Sequence, residues 1–120
     1  MNLSKIIKLA NGLLLTPDMD TNIEISGGYG ADLMSDVLAA SQPDAVLLTG
    51  LTNPQVVRTA QMSEFRAIIF VRGKQPQAET LVIAKQENIP LITSPFGMFE
   101  LSGRLHKAGL PSFESNESNN

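Results

Sequence analysis

The chain has 120 residues, no cysteine and a formal charge of −3, from nine Lys and Arg against twelve Asp and Glu. Its length fits one domain that buries roughly 65% of its unfolded surface without covalent staples, and a composition of 42% hydrophobic and 18% charged residues is that of a globular domain. The acidic balance argues against nucleic acid and anionic membrane as partners, while the missing thiols exclude disulfides, Fe–S clusters and cysteine chemistry and fit a reducing cytoplasm.

The first element is a short amphipathic helix, Leu3 to Ala10. Its apolar runs are broken by Lys8 and Asn11 and are too short for a secretory signal. No stretch of the chain approaches the roughly 20 apolar residues of a membrane helix. Gly12 and a Leu13-Leu14-Leu15 strand follow, then a polar turn at Thr16-Pro17-Asp18. Ile23-Glu24-Ile25-Ser26 alternates as a half-buried strand should. Gly27-Gly28-Tyr29-Gly30 reads as a glycine turn into a helix, with Leu33, Met34, Val37 and Leu38 on its buried side.

From Asp44 onward one pattern repeats. Asp44 to Thr49 is an apolar run between Pro43 and Gly50, as expected of a strand buried on both faces. Asn53-Pro54 then starts a helix with an apolar stripe at Val56, Val57, Ala60 and Met62. Ala67 to Val71 is a second buried strand, ended by Gly73, and Pro76 opens a helix carrying Leu81, Val82 and Ala84. Pro90 to Thr93 is a third strand, and Ser94-Pro95 caps a helix with Phe99, Leu101 and Leu105 inside and Gly109 as its stop. Three strand–helix units with short connections predict right-handed crossovers, hence an α/β fold with a mostly parallel sheet and flanking helices. The residues from Ser112 to Asn120 are mainly Ser, Asn and Glu and read as a disordered C-terminal tail.

Several chemistries fail at the level of spacing. The only Gly-Lys, Gly73-Lys74, is followed by Gln75 and preceded five positions earlier by Ile68, so no P-loop exists. A dinucleotide fingerprint over Gly28 and Gly30 would need glycine where Leu33 stands, and Asp32 puts a negative charge where a phosphate would sit. The glycines do allow a close approach by another backbone, such as a neighbouring chain. Gly27, Gly28, Tyr29, Gly30 and Asp32 are therefore candidates for a dimer or loop contact. One histidine, His106 near the end of a helix, does not make a metal site, and Ser35 beside Asp36 points away from it on a helix. No catalytic residue is assigned, no cofactor or metal is implied, and the chain is expected not to be an enzyme.

Geometry gives a stronger constellation. Ligands of open parallel sheets bind outside the carboxyl ends of the strands. Three strands here end in Thr49-Gly50 with Asn53 beyond, in Arg72-Gly73-Lys74, and in Thr93-Ser94. All fall on one edge, before helix N-termini that favour anions. Thr49, Gly50, Asn53, Arg72, Gly73, Lys74, Thr93 and Ser94 are thus candidate contacts for a phosphate-bearing small molecule. The plain alternative is that Asn53 and Ser94 are caps and Arg72 and Lys74 a solvated turn.

The segment from Gly27 to Val37, and the order Leu48-Thr49-Gly50, Asn53-Pro54, Ile69 to Lys74, Pro76, Glu79, Ile89-Pro90-Leu91, Ser94-Pro95, Phe99 and Gly103-Arg104-Leu105, resemble the DRTGG domain family over nearly the whole chain. That resemblance implies residues 1–111 as a DRTGG-like α/β domain similar to the N-terminal domain of HPr kinase/phosphorylase, with 112–120 as tail. It also implies an accessory, regulatory role, often coupled to dimer formation. Two departures stand out: the name-giving Asp-Arg pair falls near Leu51-Thr52, and Thr-Gly-Gly falls on Val71-Arg72-Gly73. The expectation is a stand-alone, cytoplasmic, non-catalytic regulatory domain, a homodimer sensing a small anionic, nucleotide-like ligand. The alternative is a protein-interaction or dimerisation module with a protein partner and no small ligand, in which Tyr29 and Met34 lie in an exposed patch covered by a second chain.

Overall fold

The apolar runs that begin at Ala45, Ala67 and Leu91 form the centre of one sheet. The computed structural model describes residues 1–40 and 43–114. The chain runs α1 (Leu3–Leu9), β1 (Leu13–Leu14), β2 (Gly27–Gly30), α2 (Met34–Ala40) and β3 (Ala45–Thr49). It continues through α3 (Pro54–Met62), β4 (Ala67–Phe70), α4 (Ala78–Glu87), β5 (Leu91–Thr93) and α5 (Met98–Lys107). The spatial order is β1-β5-β4-β3-β2, with β2 to β5 parallel and β1 antiparallel to β5. The expected α/β fold with a mostly parallel sheet is the one observed.

Every residue of β3, β4 and β5 is buried, because helices cover both faces of the sheet. Alternate side chains of one strand feed two separate cores. Val46, Leu48, Ile69 and Ile92 pack with Leu3 and Ile6 of α1 and Leu101 and Leu105 of α5. Leu47, Ile68, Phe70 and Leu91 pack on the other face with Val37 of α2, Val56, Val57 and Ala60 of α3, and Ala84 of α4. Among the described residues no helix is long and apolar enough to cross a membrane.

The N-terminal half departs from the sequence reading. Ile23 to Ile25 does not join the sheet: Leu3 N donates to Ile23 O (2.9 Å) and Ile25 N to Met1 O (2.8 Å), so it pairs with the start of the chain. The glycine segment is the strand instead, and β2 pairs with β3 from Gly27 opposite Ala45 to Gly30 opposite Leu48. Its glycines answer close approach rather than a turn. A Cβ on Gly27 would stand 2.6 Å from the Phe113 ring, and one on Gly30 would stand 2.9 Å from Met98 Sδ.

The start of the expected tail lies along this strand. Gly28 N donates to Pro111 O (2.8 Å), Phe113 N to Gly28 O (2.9 Å), and Gly30 N to Glu114 Oε1 (3.1 Å). Packing therefore runs on through Glu114, and the rest of that tail, 115–120, lies outside the described residues.

Helix details shift as well. Leu33 and Leu38 are exposed and Val37 alone of the four expected residues is fully buried, while Met34 is half-buried against the same core; the main helix packed on α2 is α3. Met62 of α3 and Val82 of α4 are exposed too. Helix α4 begins at Ala78 rather than at Pro76, with Gln77 as its cap. Helix α5 is capped by Gly97, not by Ser94-Pro95, and Phe99 lies outside rather than inside it.

Candidate functional site

Parallel register brings the carboxyl ends of β2, β3, β4 and β5 to one edge. Beyond β3, Asp32 from the β2–α2 connection accepts two hydrogen bonds on Oδ1, from Gly50 N (2.7 Å) and Thr49 Oγ1 (3.0 Å). The Thr49 hydroxyl in turn accepts from Leu51 N (3.2 Å). A carboxylate of the chain itself thus takes the backbone donor that an anion would use at the end of this strand.

Beyond β4 the chain turns on two residues with positive φ, Arg72 (58°) and Gly73 (65°). Lys74 N closes the turn on Val71 O (3.2 Å), and the neighbouring segment fixes it: Arg72 N donates to Phe96 O (2.8 Å) and Gly73 N to Ser94 O (2.7 Å). A left-handed arginine is strained, and such strain persists only where the surroundings over-determine it. The turn projects the Arg72 side chain along the edge. Its Cγ lies 3.9 Å from where a Cβ on Gly97 would stand, and its Nη2 lies 3.5 Å from the same position on Gly50. Both Asp32 oxygens are also 3.5 Å from that Gly50 position, so guanidinium and carboxylate converge there. Lys74 Nζ donates to Gly50 O (3.1 Å), while Thr93 Oγ1 donates to Lys74 O (2.8 Å).

Of the candidate contacts, the structure brings Thr49, Gly50, Arg72, Gly73, Lys74 and Thr93 into this one network. Only Arg72, Gly73 and Lys74 among them are exposed; Thr49 and Thr93 are buried and spend their hydroxyls on the scaffold. Asn53 sits in the same loop at the cap of α3 but makes no capping bond, and its Oδ1 is buried with no hydrogen-bond partner among the described residues. It is an acceptor that an incoming donor can satisfy. Ser94 does not belong to the crevice. It is fully buried, its hydroxyl donates to Ala10 O (2.7 Å) and accepts from Phe96 N (3.2 Å), and it ties α1 to the end of β5.

The glycine-segment candidates divide. Asp32 joins the crevice. Gly28 and Gly30 face Leu110, Met98 and Glu114 on one side of the sheet, whereas Gly27 meets Phe113 and Tyr29 packs on the other, edge-on to Phe65 at 6.0 Å between ring centroids. Tyr29 and Met34 are half-buried against the α3 side, so they do not form the exposed patch expected of them. Burial foremost, then the Asp36 and Glu114 carboxylates, raises the Tyr29 phenol above its ordinary pKa of 10.0. Unforeseen was a cleft of about 350 Å³ between β2, α5 and the C-terminal segment, reaching Leu48 on its floor, with His106 and Glu114 in its walls.

No family model matches the chain, and no curated protein matches it. A solved structure does: the crystal structure of the CBS and DRTGG domains of the regulatory region of Clostridium perfringens pyrophosphatase, complexed with the activator diadenosine tetraphosphate. The superposition has a TM-score of 0.67 at 17% sequence identity and covers 94% of this chain and 49% of that one. The chain has a DRTGG-like fold. It spans about half the length of the region it resembles, and at this identity the likeness speaks for architecture alone. The DRTGG-like sheet supplies the edge; the Arg72 turn, Lys74 and Asp32 are read from this chain's own geometry.

Proposed function

We propose that this DRTGG-like domain is a non-catalytic regulatory module, a cytoplasmic homodimer that senses a small phosphate-bearing, nucleotide-like ligand at the carboxyl edge of its sheet. The observation that carries the reading is the strained Arg72 turn, held by three backbone bonds so that Arg72 and Lys74 stand together on an edge otherwise closed by its own hydrogen bonds. Two cations offer charge-assisted donors to phosphate, and Asn53 Oδ1 offers an acceptor to a hydroxyl or amine of the same ligand. The nucleotide activator in the structural neighbour's complex supports the ligand class. The likeness to the N-terminal domain of HPr kinase/phosphorylase belongs to the same proposal and carries no kinase activity with it.

The test is a thermal-shift and calorimetric screen against mononucleotides, dinucleoside polyphosphates, phosphorylated sugars and acyl phosphates. A ligand at a hundred times its dissociation constant stabilises the fold by about 2.7 kcal/mol, several degrees for a domain of this size. Replacing Arg72 and Lys74 together by Ala should abolish the shift and leave the fold intact. Unchanged affinity in that double variant would remove the crevice from consideration. The reading as an interaction module without a small ligand draws support from a different feature, the exposed ring of Phe99.

A further inference from the structure

Phe99 is 94% exposed on α5, the most exposed large apolar side chain among the described residues; a lone exposed ring is ordinary for a surface, and what sets this one apart is its setting. It stands as a ridge between two depressions that share it and Gly103 as walls. One is the cleft of about 350 Å³ reaching Leu48, and the other is a shallow groove toward Leu9, Glu100 and Lys107. Gly103, one turn after Phe99, presents bare backbone, since a Cβ there would meet nothing within 4 Å. One face therefore holds both a ring that lacks cover and a hole large enough to take a ring. A surface that carries knob and hole together is complementary to itself, the requirement of a two-fold interface.

Charge agrees with shape. Helix α5 has Glu100 in its first turn and Arg104, His106 and Lys107 in its last. Arg104 is engaged within its own helix, with Glu100 at 2.7 Å, and stacks on Phe96 at 4.1 Å, while Lys107 has no ion pair among the described residues. Antiparallel pairing of two such helices sets the acidic end of each against the basic end of the other and opposes their dipoles. A small ligand in the cleft would leave the outer side of Phe99 in water; a second copy covers ring and cleft at once.

We propose that this face docks a second copy of the chain, α5 against α5 about a two-fold axis, each Phe99 entering the other copy's cleft beside Gly103. The inference rests on the homodimer in the proposed function and names its surface. Sedimentation equilibrium of the full chain should give a dimer for the native protein and for Met62→Asp, an exposed position on the opposite helical layer. Phe99→Asp should dissociate it, by about 30-fold or more, as a central aromatic anchor does. Phe99 is too exposed for that change to unfold the domain, and circular dichroism checks this. Because the chain has no cysteine, Ser102→Cys places one thiol near the axis, where a short bismaleimide should join two copies and fail to do so once Phe99→Asp is added. A native monomer at high concentration would sink both this surface and the homodimer. A dimer indifferent to Phe99→Asp would sink the surface alone, and a monomeric native chain that captures an unlike protein through Phe99 would replace it with a heterologous partner.

Discussion

The Arg72 turn makes a quantitative prediction that separates strain from contact. Arg72 has φ 58°, where a Cβ costs an L-residue roughly 1–2 kcal/mol. Arg72→Gly removes that strain but returns about 0.5–1 kcal/mol through the greater freedom of glycine in the unfolded chain. Arg72→Ala keeps the Cβ and the strain while losing the same guanidinium. The difference between the two variants thus isolates the backbone term: glycine should be the more stable by about 0.5–1 kcal/mol. At roughly 4 °C per kcal/mol for a domain of this size, Arg72→Gly should melt about 2–4 °C above Arg72→Ala. Thermal unfolding followed by circular dichroism measures this, and phosphate-ligand binding, tested in parallel, should fall equally in both. An alanine variant as stable as the glycine variant would show that the turn relaxes without cost, and strain would cease to be evidence for a site.

Ser94→Ala removes a buried hydroxyl and leaves the carbonyl of the buried Ala10 without its donor; denaturant titration should show a loss of about 1–3 kcal/mol, with ligand affinity unchanged. Asp32→Asn keeps an acceptor for Gly50 N–H and the Thr49 hydroxyl but removes a negative charge beside the cations. A unit charge about 5 Å from an anion in a water-like medium is worth roughly 1 kcal/mol, so calorimetry should find phosphate ligands bound about fivefold more tightly. With its pKa raised by burial and by Asp36 and Glu114, Tyr29 holds its proton more tightly folded than unfolded. Its contribution to stability is complete below pH 10.0 and is lost as pH rises beyond that. Tyr29→Phe should flatten the alkaline limb of a stability–pH curve, and an unaltered limb would show that another group sets it.

The centre of the fold was legible because β3, β4 and β5 are buried on both faces and so appear as unbroken apolar runs between turn residues. Their alternation with helical spacing dictates a parallel sheet, and with it the shared edge that gathers Thr49, Gly50, Arg72, Lys74 and Thr93. Strand β2 was not legible because its sequence, Gly-Gly-Tyr-Gly, lacks the side chains that mark a strand. Its identity comes from backbone pairing with β3 and from the Phe113 and Met98 atoms that occupy the missing Cβ positions. Ser94 before Pro95 looks like a cap, yet its hydroxyl partner is Ala10, 84 residues away, and no local pattern announces such a bond. Phe99 was recoverable. On a helix whose buried residues are Leu101 and Leu105, a position two before Leu101 lies about 200° around the axis, on the outer face.

A carboxylate in an anion site is a contradiction only if carboxylate and ligand need the same donors. Asp32 Oδ1 already takes the Gly50 amide and the Thr49 hydroxyl, which removes the backbone cradle that helix-start phosphate sites use. What the edge still offers is the Arg72 guanidinium and the remaining Lys74 N–H groups, since one of these is given to Gly50 O. On the proposed reading, recognition rests on side-chain cations on an exposed surface, a Coulombic grip that salt screens over about 8 Å at physiological strength. A polyphosphate gains more from this grip, on that reading, than a compact monoanion does, because it brings more negative charge to the two cations that meet beside Gly50. Asp32 takes the backbone amide and opposes the bound charge, so on this reading only a ligand with several negative charges gains enough from Arg72 and Lys74 to offset it.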